Sequence, residues 1–184
     1  MQHSREKIHP MAELGDLDPE DYKTFYDLFT HEKIIPYLPD QAIPKSYADA
    51  KQEIIDLMKK EWDGVGRYWG IYHCGCLIGT VGFHTLDQKN KSIEISYEIS
   101  PDFWGKGIAT HAVVYCIEYA KVHFLNIDKV IAYTLVDNIG SHRVAEKSGF
   151  KRIRICKNDC FYHGKIIDRL LFEIDLRDDQ EQSN

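Results

Sequence analysis

Apolar and polar residues alternate through Ile93-Glu94-Ile95-Ser96-Tyr97-Glu98-Ile99, the two-residue period of a strand with one buried face. Pro101 ends it, because proline has no N–H to give a sheet ladder. Beyond residue 107 the period changes. Ala112, Val113, Cys116, Ala120 and Phe124 recur at helical spacing. Other strand-like runs lie at residues 67–73, where Tyr68, Trp69 and Tyr72 cluster, and at 76–86, 129–136, 150–156 and 166–176. Residues 5–11 form a weaker first strand, which brings the expected total to seven. The runs at 67–73, 76–86 and 93–99 follow one another through short turns and predict an antiparallel meander. A helix separates the strand ending at Ile99 from the one at 129–136, so these two are expected to be parallel neighbours.

Helix starts are legible from their chemistry. Asp18 caps, Pro19 suits the first helical position, and Tyr22, Phe25, Tyr26 and Phe29 then share a face. Ser46 opens a second helix, with Asp49 in a variant of the capping box. Tyr47, Ala50, Ile54, Leu57 and Met58 form its stripe. Asp137-Asn138 caps a helix over 139–148 that Gly149 closes. Pro36, Pro39 and Pro44 keep residues 31–44 irregular, so Ile34, Ile35, Tyr37 and Leu38 sit on a loop that packs locally or lines a pocket. A turn is expected over 158–165. No repeat or linker marks a second domain, which predicts a single domain over 5–176 followed by a polar, disordered tail at 177–184.

The composition suits a soluble globular protein, with 43% apolar and 28% charged residues. A net charge of −6 argues against a general nucleic-acid binder, which must neutralise phosphates. It leaves room for one small polyanion held locally. No apolar run is long enough to span a bilayer, and the first residues lack the apolar core of a secretory signal. Five cysteines without framework spacing predict a reduced, cytoplasmic setting. His73-Cys74-Gly75-Cys76 could hold a metal, but no second cysteine pair follows at zinc-ribbon spacing, and no metal is expected.

The candidate chemistry centres on Trp104-Gly105-Lys106-Gly107-Ile108-Ala109-Thr110. Bare N–H groups at a helix start, backed by the helix dipole, suit a phosphate, and Lys106 would add a cation. The same glycines also serve in plain turns. A nucleoside triphosphate site is a weak alternative, since no Lys-Ser/Thr pair ends the motif.

WGKGIAT, residues 104–110, resembles the acetyl-CoA pyrophosphate motif of the GNAT superfamily of N-acetyltransferases. NIGSHRVAEKSGF, residues 138–150, resembles a helix of its ribosomal-protein N-acetyltransferase (RimJ/RimL) branch. The turn YHGKIID and the loop around Tyr37-Leu38-Pro39 are similar to that branch as well. The resemblance spans residues 5–176. It implies an α+β fold, a mixed and mostly antiparallel seven-stranded sheet with helices on both faces. It also implies that the strand ending at Ile99 splays from the strand at 129–136 and admits the pantetheine arm of acetyl-CoA. Ile99 and Trp104 would flank that arm. The amides from Gly105 through Lys106, Gly107, Ile108 and Ala109 to Thr110 would hold the pyrophosphate. Asn138, Ser141 and Lys147 would contact the cofactor from the later helix. Two departures stand out. Trp104 begins the motif where the superfamily commonly has Gln or Arg. Ala145 stands where the superfamily often has the tyrosine that protonates the leaving thiolate.

Acetyl transfer needs a deprotonated amine and a stabilised departing thiolate. Glu94 and Glu98 share a strand face, with Ser96 between, and either is a candidate general base. Ser141 resembles the serine that this branch places near the thioester sulfur, which implies a donor to the thiolate, and it also suits a plain helix cap. His84 and His111 titrate near neutrality in water. The expected partners are acetyl-CoA and an amine acceptor, either a peptide N-terminus or a small amine such as a polyamine or amino sugar. No direct nucleic-acid or membrane partner is expected, and the chain is expected to be a monomer or homodimer. Ala145 also permits a non-catalytic CoA-binding sensor or scaffold.

Overall fold

The computed structural model describes residues 5–62, 64 and 66–177. Among them run β1 (Glu6–His9), β2 (Ala12–Gly15), α1 (Tyr22–Phe29), α2 (Tyr47–Trp62), β3 (Arg67–His73), β4 (Cys76–Asp87) and β5 (Ser92–Ile99). After them come α3 (Ile108–His123), β6 (Lys129–Leu135), α4 (Ile139–Lys147), β7 (Lys151–Tyr162) and β8 (Lys165–Asp175). The strands form one eight-stranded sheet in the order β1-β2-β3-β4-β5-β6-β8-β7. Every pairing is antiparallel except β5 with β6.

The expected seven strands are therefore eight. The first run breaks at Pro10, and the four residues of β2 return to pair with both β1 and β3. The expected turn over 158–165 is also corrected. β7 continues to Tyr162, and a two-residue turn at His163-Gly164, both at positive φ, closes the hairpin. Asn158, at φ 50, lies in an irregularity of the ladder between Cys156 and Cys160. The tail beyond Arg177 lies outside the described residues.

Side-chain alternation along β3 separates two cores. Trp69 and Ile71 join Val81, Phe83, Ile93 and Ile95 under α3 and α4. Tyr72 faces the other way, with Leu77, onto Phe25, Phe29 and Ile54 of α1 and α2. The sheet is thus sandwiched between helix pairs, as expected. The caps form as read. Asp18 accepts from the Glu20 amide, the Asp49 amide donates to Ser46 Oγ, and the Asp49 carboxylate accepts from the Lys45 amide. Cys74 and Gly75 form the turn between β3 and β4, both at positive φ. Among the described residues no three His, Cys, Asp or Glu side chains gather where a metal could sit. Among them, too, no helix is long and apolar enough to cross a membrane.

Candidate active site

β5 and β6 pair over only three positions, Ser92 with Lys129, Ile93 with Val130 and Glu94 with Ile131. Past Glu94 the strands part. On its other side β5 stays paired with β4 up to Ile99 opposite Gly79, so the edge facing β6 is the one that opens. A cavity of about 1080 Å³ runs through this divergence. Phe25, Phe29, Leu38 and Leu57 line it on one face of the sheet, and Ile108, Ser141 and Val144 on the other.

Gly105 and Gly107 adopt φ 73 and 83, which favour glycine, and Gly107 caps α3. A Cβ at Gly105 would meet nothing within 4 Å, and one at Gly107 only the His111 ring at 3.9 Å. The turn thus presents bare backbone. The His111 amide makes the first bond back to Gly107 O, at 3.1 Å, and the amides before it belong to the open first turn. Thr110 lines the cavity here. Lys106 does not: its ammonium donates to Asp102 O at 2.8 Å and lies over the Phe103 ring. Trp104 donates its indole N–H to Ile99 O at 2.8 Å, which fixes the end of β5 against the turn.

Across the cleft, Asn138 Oδ1 accepts from the Ser141 amide at 3.0 Å and so caps α4. Ser141 Oγ lies 2.7 Å from the Tyr97 hydroxyl. Arg143 and Lys147, one helical turn apart and both exposed, line the same cavity. Arg143 lies in the motif at 138–150 but was not among the expected site residues. Ala145 is buried in the core under α4, so this helix offers no phenol there. The Thr134 hydroxyl also lines the cavity, buried and without a hydrogen-bond partner. An extended polar arm would satisfy it, so the residues present fit a pantetheine.

Glu94, Ser96 and Glu98 do share a face, the one turned toward α1 and α2. Strand geometry puts the two carboxylates about 13 Å apart along β5, so one reacting amine cannot use both directly. His84 Nε2 stands 3.9 Å from Glu94 Oε1, opposite it in the ladder. A bulge at Thr85, φ 52, sets His84 there, and its Nδ1 lies 2.7 Å from Thr85 Oγ1. Burial, then Lys60 and Arg169, push His84 down to about 4, so it faces Glu94 as a neutral ring. Burial raises Glu94 above the usual carboxylate range. Arg169 opposes that rise and Asp159 adds to it. Glu98 accepts from Thr80 Oγ1 at 2.9 Å, and burial pushes it up to about 7. His111 takes no part. It bonds to Gly107 O and meets His9 edge-on.

Tyr97, Thr80, Tyr162 and Thr134 were not legible as site residues. Each is an ordinary strand residue until the ladder places it at the divergence.

Residues 13–151 match the acetyltransferase (GNAT) domain family. An uncharacterized N-acetyltransferase of Bacillus subtilis, YoaA, is 32% identical over 111 residues, which cover 59% of this chain and 62% of that protein, less than two thirds of its length. YdaF of the same organism, provisionally named a ribosomal N-acetyltransferase, is 28% identical over 91% of this chain and 93% of its own. The ribosomal L7/L12 α-N-protein acetyltransferase RimL, solved with coenzyme A, superposes with a TM-score of 0.82 at 18% identity, over 94% of this chain and 98% of that one. At that identity the likeness is one of fold. The family match covers the meander, the glycine turn and α4, the elements that enclose the cavity. The chain belongs to the acetyltransferase (GNAT) domain family.

Proposed function

We propose that the chain is an acetyl-CoA-dependent N-acetyltransferase that moves an acetyl group to a primary amine by direct attack within a ternary complex. The observation that carries this is the divergence of β5 and β6 past Glu94, with a bare helix start at one end and a carboxylate face at the other. RimL, with the same fold, was solved with coenzyme A, and the relatives are named N-acetyltransferases.

Acetyl-CoA would supply the acetyl group and leave as a thiol. The amides of residues 107–110 would bind its phosphates, with Arg143 and Lys147 adding positive charge from α4. The exposed edge of β5 from Ile95 to Ile99, with the Thr134 hydroxyl opposite, would hold its arm. Glu94 lies where the strands rejoin, at the deep end of that path, and is the assigned general base. It takes a proton from the amine, directly or through one water, while the nitrogen attacks the thioester carbon. Neutral His84 beside it adds no competing positive charge. Ser141, tethered by Tyr97, directs its hydroxyl into the cleft and donates to the developing thiolate. The acceptor enters between α1, α2, the loop before α2 and the β7–β8 hairpin. The test is release of free thiol from acetyl-CoA with a panel of peptides and small amines. A rate above the no-amine blank supports transfer. Binding of CoA with no amine-dependent release would instead favour a non-catalytic sensor.

A further inference from the structure

The acceptor half of the cavity holds carboxylates that the proposed transfer does not use, Glu53 and Glu98 among them. Glu98 sits opposite Thr80 in the β4–β5 ladder and takes that hydroxyl's hydrogen bond, 2.9 Å long. Thr80 is fully buried. Two acids near the chamber have a basic side chain beside them. Asp159 holds Arg169 at 2.6 Å, and Asp40 holds His163 at 2.6 Å. Among the described residues no Lys, Arg or His comes within ion-pair distance of Glu98.

A second group offers an unpaired polar atom. Tyr162, the last residue of β7, lines the same cavity and is 8% exposed. Its hydroxyl is buried without a hydrogen-bond partner. Buried hydroxyls are normally satisfied, so an orphan one that lines a cavity marks where a ligand's polar group fits. Burial, then Cys160 and Glu98, push the Tyr162 phenol upward, and Glu98 and Tyr162 line the same cavity. The hairpin tip is fixed there by its neighbour. His163 meets Asp40 through its backbone amide as well as its ring, and its Nε2 lies 3.2 Å from Ile35 O. Phe25, Phe29, Ile34 and Leu38 supply the apolar wall.

We propose that Thr80, Glu98 and Tyr162 form a second cation subsite, so that the preferred acceptor carries an ammonium group joined to its reacting amine by a short apolar chain. A linear diamine has this chemistry, and so does a peptide N-terminus that begins with lysine. The inference rests on the acetyl-transfer reading above, with Glu94 at the reacting amine. Three residues of β5 lie between the two carboxylates, which makes the strand a ruler for the spacing of the two nitrogens. A buried carboxylate without a partner either takes up a proton or is matched by a cation, and the apolar wall excludes the water that would otherwise solvate it.

The phenols within reach of the Glu98 charge are Tyr68 of β3, Tyr162 of β7 and, from the other sheet face, Tyr97 on its own strand, while Glu53 of α2 and Glu94 act on the same Tyr68. Burial pushes the three phenols up, so they stay protonated. The subsite therefore gains its charge as pH rises through about 7, the value of Glu98.

The test compares kcat/KM for a linear diamine with that for a monoamine of equal chain length, and for a lysine-led with a leucine-led peptide. Wild type, Glu98→Gln and Tyr162→Phe are each measured from pH 6 to pH 8. The wild type should prefer the acceptor with the second ammonium by roughly ten- to a hundredfold, mostly through KM, as suits a charged hydrogen bond. That preference should grow with pH, fall to near unity in Glu98→Gln and weaken severalfold in Tyr162→Phe. Preference in the diamine pair alone identifies a small-molecule acceptor, and in the peptide pair alone a protein N-terminus. Equal kcat/KM within both pairs overturns the subsite while leaving acetyl transfer intact. So does a Glu98→Gln enzyme slowed on all acceptors with its preference unchanged, which would make Glu98 the base. Wild type that releases no thiol above the blank with any amine removes the transfer reading, and the subsite with it.

Discussion

The hydroxyl of Tyr97 lies 2.7 Å from Ser141 Oγ and 3.1 Å from Ser141 O. One bond thus joins β5 to the first turn of α4, across the divergence through which the thioester would pass. Burial pushes the Tyr97 phenol upward, so it remains a donor and holds the serine rather than giving up its proton. Tyr97→Phe should untether that hydroxyl. The expected loss in kcat is about two- to tenfold, the worth of one neutral hydrogen bond. Ser141→Ala should cost at least as much. Steady-state kinetics on both variants, with melting temperatures to confirm folding, checks this.

Glu94→Gln keeps the shape of the side chain and removes its basicity. Turnover should fall by on the order of a hundredfold. Because the native carboxyl is raised by burial, the acid limb of kcat/KM should lie above the ordinary glutamate range and vanish in the variant. An unchanged rate would remove Glu94 from the role of base.

The alternation at residues 93–99, the change of period after Gly107 and the caps at Asp18, Ser46 and Asn138 were all legible, because each depends on near neighbours in sequence. The missing strand β2 was not. Four residues, Ala12–Gly15, carry too little pattern, and their pairing with β3 depends on residues far along the chain. Asn158 and Asp159 carry turn chemistry, yet β8 holds them in the ladder through a bulge, with Asp168 accepting from the Asn158 amide. The same limit applied to the site. The shared face of Glu94 and Glu98 followed from period two, whereas Thr80 beside Glu98 and His84 beside Glu94 needed the β4–β5 register, bulge included.

Gly107→Glu should abolish acetyl-CoA binding, because it puts bulk and negative charge where the phosphates are expected. Gly107→Ala separates this from strain. At φ 83 any side chain costs about 1–2 kcal/mol, yet the alanine Cβ would meet only the His111 ring. Calorimetric titration with CoA should show weakened binding for Ala and none for Glu. Unaltered binding in the glutamate variant would sink the assignment of the cradle.

Glu98 is raised to about 7 in the fold, against the model-peptide value of 4.5. Between these values the native state binds more protons than the unfolded chain, so this group makes stability fall as pH rises through the window. Glu98→Gln removes that slope. Its melting temperature relative to wild type should therefore be higher at pH 8 than at pH 5, whichever acceptor the enzyme uses.

His163 closes the acceptor chamber by bridging the β7–β8 hairpin to the loop before α2, through Asp40 and Ile35 O. His163→Ala should raise KM for the acceptor roughly three- to tenfold, with a smaller effect on KM for acetyl-CoA. Equal changes in the two constants would contradict a role confined to the acceptor side.

The divergence of β5 from β6 is proposed as a site of acetyl transfer to an amine. Its most direct measurement is the simultaneous yield of acetylated amine and free thiol from acetyl-CoA, for wild type and Glu94→Gln, with and without acceptor. The two products should appear in equal amounts, only when an amine is present, and far more slowly in the variant. Thiol release that is the same with and without amine would contradict it.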